Sequence, residues 1–408
     1  MPGLSVTRDL QTGAGSDDIR VMIVDDSAVI RGLTARWIAE AAGVAVVATH
    51  ANGRKAVEDV AISKPDVVIL DIEMPEMDGL TALPLLLERH PGVVVIVSST
   101  LSRRGAEISL RALSLGAAEC IAKPDGSGRI ASAAEYRREL FDMVTHLGAR
   151  ARARRAREGA VAAGTREQAA PARLPPEARG HLPEQATGGR AGSGPPVRRQ
   201  AAEGARALRP YSSVPPRVLA LGSSTGGPQA LVQVLASCRE VLARVPVLVV
   251  QHMPPTFTAL LAEQLGRAAG LPAAEAKEGE AVVAGRIYVA PGGLHMLVAC
   301  KEDAIVARLS DTPPEHFCKP AVDPLFRSVA QVFGPAALGV VLTGMGSDGG
   351  LGAAAIAASG GSVVIQDEET SVVWGMPGAV AAAGACAGIF PLPQIGGQLR
   401  ELLRGSAR

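Results

Sequence analysis

Twelve short apolar runs punctuate this chain, and stretches of helical periodicity separate most of them. Runs of four to eight apolar residues between helical segments read as strands of a parallel sheet with helices on its faces. The first five are Arg20–Val24, "VAVVAT", "DVVILD", "VVVIVSS" and "AECIAK". Helices are expected from Ser27 to Ala42, through "GRKAVEDVAIS", from Gly79 to Arg89 and around "AEISLRALSLG". The other seven are "RVLALG", "VPVLVVQ", "RIYVAP", "HMLVAC", "AIVARL", "LGVVLTG" and "GSVVIQD". The middle three of these lie so close together that they predict an antiparallel hairpin inserted into a mostly parallel sheet. The fold class is therefore α/β twice over: a flavodoxin-like (βα)5 domain, then a doubly wound, mostly parallel sheet. At roughly 100–200 residues per domain, 408 residues have room for both.

Between residues 150 and 209 the composition changes. This segment holds 13 arginines and five glutamates, with no lysine, aspartate or aromatic residue. Its balance of +8 against a chain total of +1 leaves −7 for the rest. So little apolar surface cannot offset chain entropy. A flexible linker over 141–214 is expected between domains at 18–140 and 215–404, its early part "ARARARRAREGA" extending the preceding helix. A basic tail for nucleic acid or anionic lipid is the alternative, disfavoured by the absence of interleaved aromatics. The near-neutral whole, the lack of a signal-peptide core and the lack of an unbroken apolar span point to a cytoplasmic protein that neither binds nucleic acid nor inserts into a membrane. Five scattered cysteines form no C-x-x-C pair, so reduced thiols are expected.

In open α/β sheets, sites form at the carboxyl ends of strands. In the first domain these ends carry Asp25 and Asp26, Asp71, Ser98 and Ser99, and Lys123. Helix capping accounts for any one of the aspartates. Three carboxylates converging repel one another unless a cation joins them, and an oxygen-rich site suits Mg²⁺. A carboxylate held there can attack a phosphoryl group.

In the second domain Gly222-Ser223-Ser224-Thr225-Gly226 satisfies G-x-S-x-G between a strand and a helix. That is the setting of a nucleophile elbow, and equally of an anion site at a helix N-terminus. His252 ends the neighbouring strand, whereas His295 opens a hairpin strand and His316 sits in an irregular, proline-flanked loop. Asp348 follows a third strand in "LTGMGSDGG". The order Ser–His–Asp differs from the α/β-hydrolase order Ser–Asp–His.

"VMIVDDSAVIR", "DVVILDIEMPEMDGL" and "KP" resemble a response-regulator receiver domain. The resemblance implies Asp71 as phosphoacceptor, Mg²⁺ held by Asp25, Asp26, Asp71 and the Glu73 carbonyl, Ser99 as switch hydroxyl with Ser98 as its rival, and Lys123 on the phosphoryl group before a cis Pro124. "GSSTGGP", "QHMPPTFT", "YVAPGGLHM", "VDPLF", "LTGMGSDG" and "VVWGMP" resemble the catalytic domain of the chemotaxis protein-glutamate methylesterases, the CheB type. That resemblance implies a cofactor-free serine hydrolase that demethylates glutamate methyl esters and deamidates glutamines on methyl-accepting chemotaxis receptors. Ser224 would be nucleophile, His252 base and Asp348 orienting acid, with the Thr225 and Met345 N–H groups as oxyanion donors. A CheA-type histidine kinase would be the phosphodonor and the protein would act as a monomer. Ser223, where the family commonly has alanine, and the long arginine-rich linker depart from the pattern. A non-enzymatic receiver-containing binding protein is the alternative.

Overall fold

The computed structural model describes residues 18–100, 102–123, 130–167 and 208–405. The first domain alternates β1 (Ile19–Val24), α1 (Ala28–Ala39), β2 (Val44–His50), α2 (Gly53–Ser63), β3 (Val67–Asp71), α3 (Gly79–Arg89), β4 (Val94–Ser99), α4 (Arg103–Ser114), β5 (Glu119–Ala122) and α5 (Ile130–Glu167). The strands pair in parallel in the order β2-β1-β3-β4-β5. β3 is buried along its whole length, as expected of a parallel strand covered on both faces. Ser27, Asn52, Asp78 and Ser102 each accept a backbone N–H from the first turn of α1, α2, α3 and α4. These caps place each helix start just past a strand end.

α5 continues far beyond the sheet. Tyr136, Leu140, Met143, Val144, Leu147 and Ala151 recur at helical spacing and are buried. The helix then runs on to Glu167 through sequence rich in alanine and arginine, both strong helix formers. The first part of the expected linker, 141–167, is therefore helical. Residues 168–207 lie outside the described residues, as does Pro124 with the expected cis bond before it.

The second domain comprises β6 (Val218–Ser223), α6 (Gly227–Leu242), β7 (Val247–Gln251), α7 (Phe257–Ala269), β8 (Ala273–Glu275), β9 (Ile287–Val289), β10 (His295–Lys301), β11 (Ala304–Ser310), α8 (Val322–Phe333), β12 (Ala337–Val341), α9 (Gly350–Ala358), β13 (Ser362–Gln366), α10 (Met376–Ala382), β14 (Gly388–Phe390) and α11 (Leu392–Arg404). Seven parallel strands form one sheet, β14-β13-β12-β6-β7-β9-β8. The antiparallel pair β10-β11 stands apart from it. β8 and β14, three residues each, escaped the sequence reading because they are too short to show a period. A core cluster fills each face of the sheet, so its central strands β6, β7 and β12 are wholly buried.

The domains touch through α4 and the start of the second domain. Gln229 donates to the Leu113 and Ala117 carbonyls, 2.9 Å each. Met253, Phe257 and Leu260 join the apolar cluster beneath α4. Arg150 of α5 donates to the Glu368 and Glu369 carbonyls at 3.3 and 2.8 Å. Among the described residues no helix is long and apolar enough to cross a membrane, and no disulfide joins the five cysteines.

Candidate active site

β6, β7 and β12 are neighbours, so their C-terminal tips meet in the middle of the sheet. Ser223 is paired with Gln251 across β6 and β7, which puts Ser224 and His252 side by side at the next step. The two adjacent serines have different fates. Ser223 is fully buried and donates to Gln251 Oε1 at 2.7 Å. Gln251 Nε2 in turn donates to the Ser224 carbonyl at 2.9 Å, and the Ser224 N–H donates to the Thr343 carbonyl at 3.1 Å. Ser224 is thus gripped by its backbone from both neighbouring strands while its side chain keeps partial exposure.

The corner is tight. Gly226 takes φ +74° with Val372 against it, a conformation that suits glycine. A Cβ at Gly344 would lie 2.9 Å from the Ser224 Cβ and from its amide nitrogen, and would run into the Met376 sulfur. Only a glycine lets the loop after β12 approach the serine so closely.

His252 Nε2 lies 2.7 Å from Asp348 Oδ2. Asp348 is buried and accepts three backbone N–H groups as well, from Val322 at 2.6 Å and from Asp323 and Gly349 at 2.9 Å each. Burial raises its pKa, but the His252 contact and these amides outweigh it and hold the carboxyl below the usual range. Burial opposes charge on His252. The hydrogen bond and charge of Asp348, with Cys318 close by, overcome it and push the imidazole up to about 10. With Nε2 committed to Asp348, Nδ1 is the nitrogen left to serve a hydroxyl.

Thr225 lies two residues past the end of β6 and Met345 four past the end of β12. His295 is fully buried, with Nε2 on the Pro313 carbonyl and Nδ1 accepting the Ala321 N–H, both 3.1 Å: a histidine that holds the chain together. His316 is closer to the chemistry than its loop suggested. Its Nε2 lies 2.9 Å from the buried Asp323 carboxylate and its Nδ1 3.3 Å from Ser347 Oγ. Neither the His316–Asp323 pair nor the Cys318–His252 contact was read from the sequence, because both depend on how the loop 313–318 folds back. One signal was present: "EHFCKPAVD" crowds a histidine, a cysteine and an aspartate.

In the receiver, at the C-terminal ends of its strands, Asp25, Asp26 and Asp71 bring carboxylate oxygens within 4.8 Å of one another. Lys123 Nζ bridges Asp25 and Asp71 at 2.9 and 2.8 Å. A cavity of about 390 Å³ opens there, lined by Asp26, Asp71, Glu73, Ser99 and Lys123 among others. Ser99 faces it and bonds Ser109 Oγ at 2.6 Å, whereas Ser98 points toward Tyr136 at 3.4 Å. Burial raises the Asp71 pKa even though Lys123 pulls it down. Burial lowers that of Lys123, but its bonds to Asp71 and Asp25 more than reverse this. One ammonium thus leaves the three carboxylates short of positive charge, and this donor set fits a hard divalent cation such as Mg²⁺.

The CheB methylesterase family model matches residues 219–399, and the response regulator receiver domain model matches residues 21–135. The protein-glutamate methylesterase/protein-glutamine glutaminase of group 2 operon of Bradyrhizobium diazoefficiens is 49% identical, over 95% of this chain and 94% of its own. The protein-glutamate methylesterase/protein-glutamine glutaminase 1 of Paramagnetospirillum magneticum is 46% identical, over 95% and 97%. Among solved structures, the Thermotoga maritima CheB methylesterase catalytic domain covers 46% of this chain and all of its own, at 36% identity and TM-score 0.45.

Proposed function

Because the chain belongs to the CheB methylesterase family, with a receiver domain ahead of the esterase domain, we propose that Ser224, His252 and Asp348 carry its chemistry as nucleophile, base and orienting acid. The protein is a protein-glutamate methylesterase and protein-glutamine glutaminase under phosphorylation control, and its role is adaptation in chemotaxis. The observation that best supports the assignment of residues is the 2.7 Å His252–Asp348 contact beside the Ser224 elbow.

The Ser224 hydroxyl oxygen bonds to the γ-carbonyl carbon while its proton passes to His252. Asp348 fixes the ring tautomer and stabilises the imidazolium. The oxyanion that forms is met by the backbone N–H groups of Thr225 and Met345, each donor of this kind contributing about 3–4 kcal/mol. The C–O bond to the methoxy group breaks as His252 returns the proton, and methanol leaves. Water then attacks the acyl-serine, again losing a proton to His252, and glutamate and Ser224 are restored. For glutamine the same steps release ammonia. No cofactor enters this sequence.

Asp71 is the phosphoacceptor in this reading. Asp25, Asp26 and Asp71, with the Glu73 carbonyl, would hold Mg²⁺, which would neutralise phosphoryl and carboxylate charge. Lys123 pairs with the phosphoryl group and Ser99 follows it as the switch. A histidine kinase of the CheA type is the donor, and methyl-accepting chemotaxis receptors are the substrate. The protein acts in the cytoplasm as a monomer, since one chain supplies every group named. The proposed domains, 18–140 and 215–404, enclose both family matches, with the helical extension and linker of 141–214 between them.

Methanol release from methylated receptor membranes tests the assignment. With acetyl phosphate and Mg²⁺ present, Ser224→Ala is expected to reduce turnover about 10⁶-fold, to background. Substantial residual turnover would reject Ser224 as nucleophile.

A further inference from the structure

Phe317 is 85% exposed, in a chain with only six Phe, two Trp and three Tyr. No other aromatic ring among the described residues is so open to solvent. Single exposed aliphatic side chains need no explanation, but an aromatic ring held out beside a reactive centre is the usual anchor of a protein partner.

The ring is not on a loose loop. His316 and Phe317 take successive positive φ angles of 52° and 63°, rare for residues with a Cβ and sustained only where the surroundings enforce them. The surroundings here do so. Glu315 and Cys318 exchange backbone hydrogen bonds at 3.2 and 2.8 Å, closing the turn. Arg327 clamps the Glu315 carboxylate through both terminal nitrogens at 2.6 and 3.0 Å. Lys319 pairs with Asp311, and its carbonyl accepts the Gly293 N–H at 3.1 Å. A ring fixed in this way loses little conformational entropy when a partner covers it.

Both neighbours of Phe317 reach the triad. His316 binds Asp323, whose N–H donates to Asp348, and Cys318 lies beside His252. The ring therefore stands at the lip of the cleft. A protein-borne glutamate ester can reach Ser224 only if the backbone that carries it rests outside that cleft. From the receiver side, the Arg138 guanidinium of α5 lies 5.0 Å from the ring centroid, a cation–π contact that a docking partner would replace.

We propose that Phe317 is the docking anchor for the protein substrate, seating an apolar side chain of the receptor segment beside the esterified glutamate, and that Arg138 contacts this anchor in the receiver-docked arrangement. The proposal rests on the esterase reading above and adds a residue that sets substrate affinity.

The test uses the full chain activated with acetyl phosphate and Mg²⁺, on two substrates: methylated receptor membranes and a blocked glutamate γ-methyl ester with no protein surface. Phe317→Ala is expected to raise KM for the membranes about tenfold, with kcat within twofold, and to leave the small ester unaffected. Phe317→Tyr should restore KM. An unchanged KM, or equal losses on both substrates, would overturn the proposal. So would a raised basal rate of the unphosphorylated Phe317→Ala chain with no KM change after activation, since the ring would then serve only the receiver. Ser224→Ala run in parallel fails on the membranes regardless of Phe317, so a failure of the esterase reading is seen separately.

Discussion

The carboxylate of Glu119, in the receiver, lies beside Thr225 and Gly226 at the start of α6, one and two residues past Ser224. α6 has no side-chain cap of its own, and the receiver sets this buried carboxyl against the helix's positive end. That same end faces the position where negative charge develops during catalysis. Burial drives the Glu119 pKa up to about 7, against the pull of the Cys120 N–H, the Thr225 hydroxyl and the Gly226 N–H.

Docking should therefore depend on pH. A carboxyl whose docked pKa lies above its free value favours docking when protonated. The contribution is complete below about pH 4.5 and is lost as pH rises through about 7. Between pH 6 and 8 the docking equilibrium should weaken about tenfold. The ratio of basal to acetyl phosphate-activated esterase rate reads this, because the esterase's own pH dependence cancels. Glu119→Gln is expected to flatten the ratio across the range. A variant that keeps the wild-type slope would remove Glu119 from the gate.

Raised proton affinity at His252 sets the pH dependence of the chemistry itself. A base must be neutral to accept the Ser224 proton, and this imidazole is charged below about pH 10. Receptor demethylation by the activated chain should climb with pH through the neutral range. Asp348→Asn removes the partner that sustains the imidazolium, so the climb should move to lower pH. The tautomer is also lost, and kcat should fall about 10⁴-fold.

Gly344 offers a steric test. In Gly344→Ala the new methyl group would lie 2.9 Å from the Ser224 Cβ and amide nitrogen, closer than atoms tolerate, so the serine must shift. A displacement of about 1 Å at a nucleophile costs about 10²-fold. We expect kcat to drop by that order, with KM for receptor membranes little changed and cooperative thermal unfolding retained.

Removal of divalent cations should separate the two halves of the molecule. EDTA is expected to abolish the gain from acetyl phosphate and leave the basal esterase rate unchanged. Asp71→Asn should behave the same way with Mg²⁺ present. A basal rate that falls with EDTA would place a metal requirement in the esterase domain.

Much of this arrangement was legible in the sequence because it lies on regular elements. Ser224, His252, Asp25, Asp71 and Lys123 sit at or next to strand ends, and strand ends follow from apolar runs. Ser99 over Ser98 could not be settled that way, since a one-residue step flips a side chain to the other face; the structure turns Ser99 to the cavity and Ser98 to Tyr136. The contacts that escaped are those between segments far apart in the chain. Glu119 reads as an ordinary strand residue until α6 is set against it. His316 and Cys318 belong to a turn held by Arg327 and Asp323, and no local pattern announces such a turn. The length of α5 was only half visible, because helix formers without an apolar face look the same as a linker.

That last helix has a mechanical consequence. Its 38 residues make a rod of about 57 Å, rooted under the receiver sheet by Tyr136 and Leu140 and tied by Arg150 to the far domain's Glu368 and Glu369 carbonyls. A tilt of only about 5° at the root sweeps the tip through about 5 Å, by its length alone. The chain thus has its own lever arm, which turns a small rotation at its root into a far larger stroke at its tip.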